Sequence, residues 1–328
     1  MSASDEADRT VVLNPSSGTA GHAEAVRKRA SLLGYEVEET EAAGDAVTLA
    51  REAAAGGVSV VAAAGGDGTL NEVVRGVREA GALDRVTVGV VPTGTGNNFA
   101  KNVGITSIDE GFAALEDGER RRIDLGLAND GVFVNTCIGG LVGDAIAETP
   151  AELKTRLGGL AYVVTTLRST GSFDGVSLTI TARGDGERTP VWTGDAMFVL
   201  IGNGRRFTTH GEDQANMEDG RFDVCVIEDV SALDLVDDAV TERLFGETAP
   251  DVTRFQAPSL EISSAEPEPF HFSVDGELVQ TDDLLIDVSP GALRVPVGED
   301  YDPDPDRGSE RDRASSLPEP DERGHSSP

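Results

Sequence analysis

Three loops of small residues carry the chemistry open to this sequence. Gly65-Gly66-Asp67-Gly68-Thr69 closes an apolar run of strand length, Val58 to Ala64, and a helix-like pattern follows at once. Glycines around one aspartate let a backbone turn tightly and approach a ligand closely. A helix N-terminus at the end of a strand offers N–H groups to an anion. Thr69, with Glu72 three residues on, reads as the N-cap of that helix in a capping box. A second loop, Pro92-Thr93-Gly94-Thr95-Gly96-Asn97-Asn98, follows another apolar run, and Asn14-Pro15-Ser16-Ser17-Gly18 follows the first. Open parallel sheets bind ligands at the carboxyl ends of their strands, where all three loops would lie. The matching chemistry is a phosphate cradled by backbone N–H groups, with Mg²⁺ bridging to a carboxylate such as Asp67. Glycine content alone is equally served by a tight βα turn. Neither a Walker lysine pattern nor a Gly-x-Gly-x-x-Gly fingerprint is present. Far downstream, Asp275-Gly276-Glu277 reads locally as a hairpin turn.

The elements that must position these loops alternate regularly. Strands are expected at Arg9–Leu13, Tyr35–Thr40, Val58–Ala63 and Val86–Val91. Helices are expected at Ala23–Leu33, Asp45–Ala55, Thr69–Ala80 and about Ile108–Glu116. That order predicts an α/β domain with a doubly wound, mostly parallel sheet. From Ile123 the strand signals dominate: Ile123–Leu127, Val132–Thr136, Val176–Ala182, Ala196–Ile201, Phe222–Ile227, Ser259–Ser263, Phe270–Val274 and Leu284–Val288. They predict an antiparallel, sandwich-like second domain. Helical stretches at about Leu153–Ser169 and Leu233–Phe245 interrupt it. The expected boundaries are 9–122, then 123–288, then a disordered acidic tail over 299–328.

Composition narrows the function. Of 328 residues, 59 are acidic and 27 are lysine or arginine, for a net charge of −32. Acids spread over the whole length resemble a halophile surface and argue against nucleic acid, which requires a basic stripe. They leave a phosphate ligand open, because backbone donors, a metal ion and a few arginines bind one locally. Cys137 and Cys225 sit in apolar runs and read as buried thiols. The four histidines show no metal-ligand spacing. No signal peptide or membrane-length apolar run occurs, so a soluble, cytoplasmic protein is expected, with any bilayer contact peripheral.

Gly65-Gly66-Asp67-Gly68-Thr69 with Asn71-Glu72-Val73 resembles the nucleotide loop of the diacylglycerol kinase catalytic-domain family, which also holds sphingosine-type lipid kinases. NAD kinases and phosphofructokinases carry the same short loop. Asn14-Pro15-x-Ser17-Gly18 and Pro92-x-Gly94-Thr95-Gly96-Asn97 favour the lipid-kinase branch. So do Asp124 with Gly126, Phe133-x-Asn135, Gly158 to Tyr162, Asn203, Asp219-Gly220-x-Phe222-Asp223-Val224 and Asp275-Gly276-Glu277. The resemblance runs from about Val11 to Val297, and it implies that about 289–297 returns to complete the 9–122 domain. It implies an ATP- and Mg²⁺-dependent kinase acting on a diacylglycerol-like, sphingoid-like or isoprenoid glycerol lipid at a membrane surface. It implies that Gly65, Gly66, Gly68 and Thr69 surround the ATP phosphates, and that Asn14, Thr93, Gly94 and Asn97 complete the pocket with Glu277 at its edge. Asp67 would join the acidic, metal-handling network, and Asp275 would be the general base. Asp124 and Lys154 would face the substrate. Two departures stand out: Asn98 replaces an aspartate usual in relatives, and Thr19 to His22 replace basic residues. An NAD kinase or other small-molecule kinase on the same scaffold, or a non-catalytic nucleotide-binding relative, remain alternatives. The oligomeric state is open, a homodimer included.

Overall fold

The computed structural model describes residues 8–18, 21–140, 175–184, 187–208, 211–228, 252–264 and 270–305. The chain divides into two compact units. One takes the described residues of Met1–Leu125, Met217–Asp219 and Ser289–Asp304, and the other those of Gly126–Asn216, Gly220–Val288 and Pro305–Pro328.

The first unit is the α/β layer structure. Its elements are β1 (Arg9–Leu13), α1 (His22–Leu32), β2 (Glu36–Glu39), α2 (Asp45–Gly56), β3 (Val60–Gly65), α3 (Asp67–Glu79), β4 (Thr87–Pro92), α4 (Asn98–Asn102) and α5 (Ile108–Asp117). β5 (Arg120–Ala128) begins in this unit. Strands β2, β1, β3 and β4 pair in that order, all in parallel. Every residue of β3 and β4 is buried, which suits a parallel sheet covered on both faces and explains why these runs are apolar without alternation. Val11, Leu13, Val26, Ala30, Val91 and Phe112 belong to one core beneath α1 and α5. Three consecutive arginines open β5. Arg120 donates to the Ala114 and Leu115 carbonyls, Arg121 pairs with Glu119 and Glu218, and Arg122 donates to the Asp84 and Gly291 carbonyls. Their charges close the end of α5 and the loops beside it.

The second unit is antiparallel. Its elements are β6 (Gly131–Phe133), β7 (Thr136–Gly140), β8 (Val176–Gly184), β9 (Glu187–Gly202), β10 (Arg205–Thr208), β11 (Gly211–Gln214), β12 (Phe222–Glu228), β13 (Val252–Ala257), β14 (Ser259–Ser264), β15 (Phe270–Val274), β16 (Glu277–Thr281) and β17 (Asp283–Pro296). The strands run in the order β16-β15-β7-β9-β8-β14-β17, with β12 on β9 and β13 on β12. Phe133 stacks on Phe222 in its core, with ring centroids 5.3 Å apart. β17 leaves this unit after Val288, and its end pairs in parallel with β4 through Arg294 and Thr87. Cys137 and Cys225 are buried and free, as expected. Burial pushes the Cys225 thiol up to about 11 and Cys137 higher still, so neither offers a thiolate at neutral pH.

Several expectations need correction. The helix after the first glycine loop starts at Asp67, not Thr69, with Gly66 at its N-cap and no side-chain cap. Thr69 turns inward, and Glu72 accepts from the Gly44 amide, so no capping box forms. The strand expected over Val132–Thr136 is broken into β6 and β7, because the amides of Val134, Asn135 and Thr136 turn toward the Asp275 carboxylate. The tail expected to be disordered from Glu299 is held through Tyr301, whose hydroxyl donates to Glu218 at 2.8 Å. The helices expected near Leu153–Ser169 and Leu233–Phe245 lie outside the described residues.

Candidate active site

In the first unit, the carboxyl ends of β1, β3 and β4 bring the three small-residue loops together. The Gly65 carbonyl accepts from both Thr93 N (3.0 Å) and Gly94 N (3.2 Å). Gly66 and Gly94 then touch backbone to backbone: a Cβ on Gly94 would lie 2.4 Å from Gly66 Cα. Asn14 joins from β1, its amide N–H bonded to the Ala64 carbonyl and its Nδ2 donating to Thr69 Oγ1 at 3.2 Å. Ser17 Oγ and Thr93 Oγ1 share a hydrogen bond of 2.7 Å, and the His22 ring lies 3.4 Å from Ser17 Oγ. Gly18 has φ +61°, and a Cβ there would sit 1.8 Å from the Thr93 carbonyl oxygen. Only glycine serves at that approach.

Asp67, in the first turn of α3, has a defined task. Its Oδ2 accepts from Asn98 N (3.0 Å) and its Oδ1 from Phe99 N (2.9 Å), so it caps α4 from a neighbouring helix. Asn97, just before, is left-handed at φ 51°, and its Nδ2 donates to the Gly94 carbonyl at 2.7 Å. Its Oδ1 is buried without a hydrogen-bond partner. The first and second loops are thus locked together by a carboxylate and a glycine contact, and Asn97 closes the second loop on itself.

These residues fit a nucleotide phosphate. The first-turn amides of α3 have no partner within their own helix and meet a floor from which side chains are excluded. The orphaned, buried Asn97 Oδ1 in the second loop fits a donor on a ligand. The fit to a protein-held metal is poorer. Among the described residues no group of three acidic, histidine or cysteine side chains is arranged for one. A nucleotide-borne Mg²⁺ takes one or two carboxylates and otherwise uses phosphate and water, and Asp67 is the carboxylate at these loops that would serve it. A cleft of about 730 Å³ elsewhere in the same unit is lined by Glu110, Asp117, Glu119 and Asp300 among others. That lining repels phosphate.

Asp275 belongs to the second unit, at the turn between β15 and β16, with φ 46°. Its Oδ2 accepts from Val134 N (2.7 Å), and its Oδ1 from Asn135 N (3.0 Å) and Thr136 N (2.9 Å). The hairpin reading of Asp275-Gly276 holds, and the side chain does more than turn the chain. Glu277 opens β16 with an exposed side chain. Asp124 is 1% exposed and accepts from Gly291 N at 2.8 Å, a bracing position inside the first unit. Lys154 lies outside the described residues. Sequence reasoning missed the capping of α4 by Asp67 and the bond between Ser17 and Thr93. The only signal for the first was a carboxylate and a left-handed asparagine at the ends of two successive parallel strands.

The architecture is a parallel sheet whose small-residue loops meet at its strand ends, with an antiparallel β unit in the same chain. Residues 8–128 match the diacylglycerol kinase catalytic domain family, and residues 140–297 match the YegS C-terminal NAD kinase beta sandwich-like domain. A Pseudomonas aeruginosa (strain UCBPP-PA14) protein named "Probable lipid kinase YegS-like" is 34% identical over 256 residues, 77% of this chain and 81% of its own length. The diacylglycerol kinase of Bacillus subtilis (strain 168) is 31% identical over 277 residues, 81% of this chain and 88% of its own. A solved structure of a candidate diacylglycerol kinase from Bacillus anthracis str. Sterne superimposes with a TM-score of 0.73 at 24% identity, over 91% of this chain and 98% of that one, and supports the fold. The chain belongs to the diacylglycerol kinase catalytic-domain family, a family of lipid kinases.

Proposed function

We propose that the protein transfers the γ-phosphate of ATP to a hydroxyl of a diacylglycerol-like, sphingoid-like or isoprenoid glycerol lipid presented at a membrane surface. The carrying observation is the side-chain-free contact between Gly66 and Gly94 at the start of α3. A phosphate chain needs that close backbone approach, and a plain βα turn does not. When bound, ATP with its Mg²⁺ supplies the transferable phosphoryl group and neutralises part of its charge. The protein's contribution is positioning, which is most of what a loose phosphoryl-transfer transition state requires. First-turn amides of α3 hold the phosphates. Asn14, Thr69 and Thr93 set the loop edges, and Asp67 keeps the second loop against the first. Asp275, fixed by three amides, orients the acceptor hydroxyl and takes its proton as the P–O bond to the lipid forms and the bond from the γ-phosphorus to the leaving ADP breaks. Substrate recognition falls mainly to the β unit, with Lys154 as its candidate and Asp124 of the first unit as a second, while Glu277 stands at the nucleotide pocket's edge. Asn98 leaves Asp67 without the second carboxylate common in relatives, so metal handling rests on fewer charges here.

The test is a labelled-ATP assay in high salt with total lipid extract, purified diacylglycerol and NAD as parallel acceptors. Label in a lipid product supports the reading. Label in NAD alone, or ATP binding with no transfer, overturns it. Asp275→Asn should abolish lipid labelling while ATP affinity stays within about twofold, since the change leaves the phosphate floor untouched. Turnover equal to wild type would remove Asp275 from the mechanism.

A further inference from the structure

The Asp275 carboxylate is held by the segment Val134–Thr136, and that segment is itself held from the other side. Three successive backbone N–H groups converging on one anion form a nest, which requires a backbone that leaves the strand path. The break between β6 and β7 is that departure. Turning those amides toward Asp275 points the carbonyls of Val134 and Asn135 away from it, where they need donors. Asn203 supplies them at the end of β9. Its Nδ2 donates to the Val134 carbonyl at 3.1 Å, its backbone N to the Asn135 carbonyl at 2.8 Å, and Gly204 N to the same oxygen at 3.2 Å. Asn203 is 1% exposed. The strand register explains the meeting: Thr136 faces Gly202 across β7 and β9, and Val274 faces Cys137 across β15 and β7. Asn203, the nest and Asp275 therefore stand at one end of three neighbouring strands. Asp275 N closes the circuit by donating to the Thr136 carbonyl at 2.9 Å.

We propose that Asn203 is a positioning residue: it fixes the Val134–Thr136 nest and through it sets where the Asp275 carboxylate stands. The residue type fits the task. Aspartate has the same shape but no donor, serine is too short to reach, and glutamine adds a methylene to a side chain that is already buried. The inference rests on the reading of Asp275 as the group that orients the acceptor hydroxyl.

The experiment compares full-length wild type, Asn203→Ala, Asn203→Asp, Asp275→Asn and the Asn203→Ala/Asp275→Asn pair. Total lipid extract with labelled ATP gives turnover, and hydrogen exchange gives the amides of 134–136. Both Asn203 variants should lower kcat by about tenfold or more while KM for ATP stays within about twofold. Exchange at 134–136 should quicken in both and in Asp275→Asn, with the strands of the first unit unchanged. Added to Asp275→Asn, the Asn203 change should lower residual turnover no further. Wild-type kcat in both Asn203 variants, or a further tenfold drop in the pair, overturns the positioning role. Unaltered exchange at 134–136 also overturns it, and decides the matter if residual turnover is undetectable. Full turnover by Asp275→Asn would instead defeat the reading of Asp275, a separable result.

Discussion

At the residue scale, the site is made by what is missing. Gly94 and Gly18 are needed because backbone atoms occupy the space a side chain would take, so Gly94→Ala must push Gly66 or its own loop aside. We expect Gly94→Ala to raise KM for ATP by roughly tenfold or more, about 1.4 kcal/mol of lost binding, with the fold retained by circular dichroism. An unchanged KM would mean that the phosphates sit elsewhere. These glycines were legible in the sequence; the partners of the polar residues were not. Thr69 carries the spacing of a capping box, yet it is 7% exposed and bonds to Asn14, because tertiary packing of the loops outbid the local cap. Asn203 entered the sequence reading only as one residue of the family pattern, with no role, since nothing local links it to a loop roughly seventy residues earlier. Tyr35 offers a residue-scale check on the packing beside α5. Burial and its bond to Glu116 push its phenol from 10.0 up to about 12. The folded state therefore favours the neutral phenol; that stability is complete below about pH 10 and lost as pH rises toward 12. Tyr35→Phe should show a smaller loss of stability across that window in chemical denaturation than wild type.

At the element scale, the short α4 depends on a neighbour. Its five residues are too few to hold a helix alone, and its N-terminus is satisfied by Asp67 rather than by its own cap. Asp67→Ala should cost about 1–3 kcal/mol of stability and raise KM for ATP, because both amides lose a charged acceptor. Loss of turnover at full stability and unchanged KM would assign Asp67 to chemistry alone. The alternation of strands and helices through α5 was readable because buried parallel strands are continuous apolar runs with glycine stops. Beyond β5 the reading thinned for physical reasons. β13, Val-Thr-Arg-Phe-Gln-Ala, pairs with β12 and has an exposed Arg254 and weak alternation, and of β16 only the hairpin turn leading into it was read. α4 was invisible, because its start depends on a carboxylate thirty-one residues away.

At the scale of the whole molecule, charge sets the working conditions. A net charge of −32 repels itself, and the described ion pairs are mostly exposed and individually weak. Raising KCl from about 0.1 M to about 2 M shortens the screening length from about 10 Å to under 3 Å. The melting temperature should rise by roughly 5–10 °C, a gain of a few kcal/mol. A flat or falling profile would show that self-repulsion is not the dominant cost. Among the described residues no helix is long and apolar enough to cross a membrane. The proposed lipid acceptor, if met at a bilayer surface, is met by a strongly acidic chain. Ionic strength should accordingly govern membrane encounter as well as stability.

β17 has a consequence for how this protein is made. The first unit takes its sheet neighbour for β4, and the Val297–Tyr301 segment that bonds to Glu119, Val103 and Glu218, from the far end of the described chain. During synthesis the nucleotide loops emerge early, yet the strand beside them is translated about two hundred residues later, at a pace of roughly 5–20 residues per second. For ten seconds or more a nascent chain of this kind would carry an open parallel edge at β4, which is a site for wrong pairing. Vectorial folding therefore cannot finish the first unit before the second has been made.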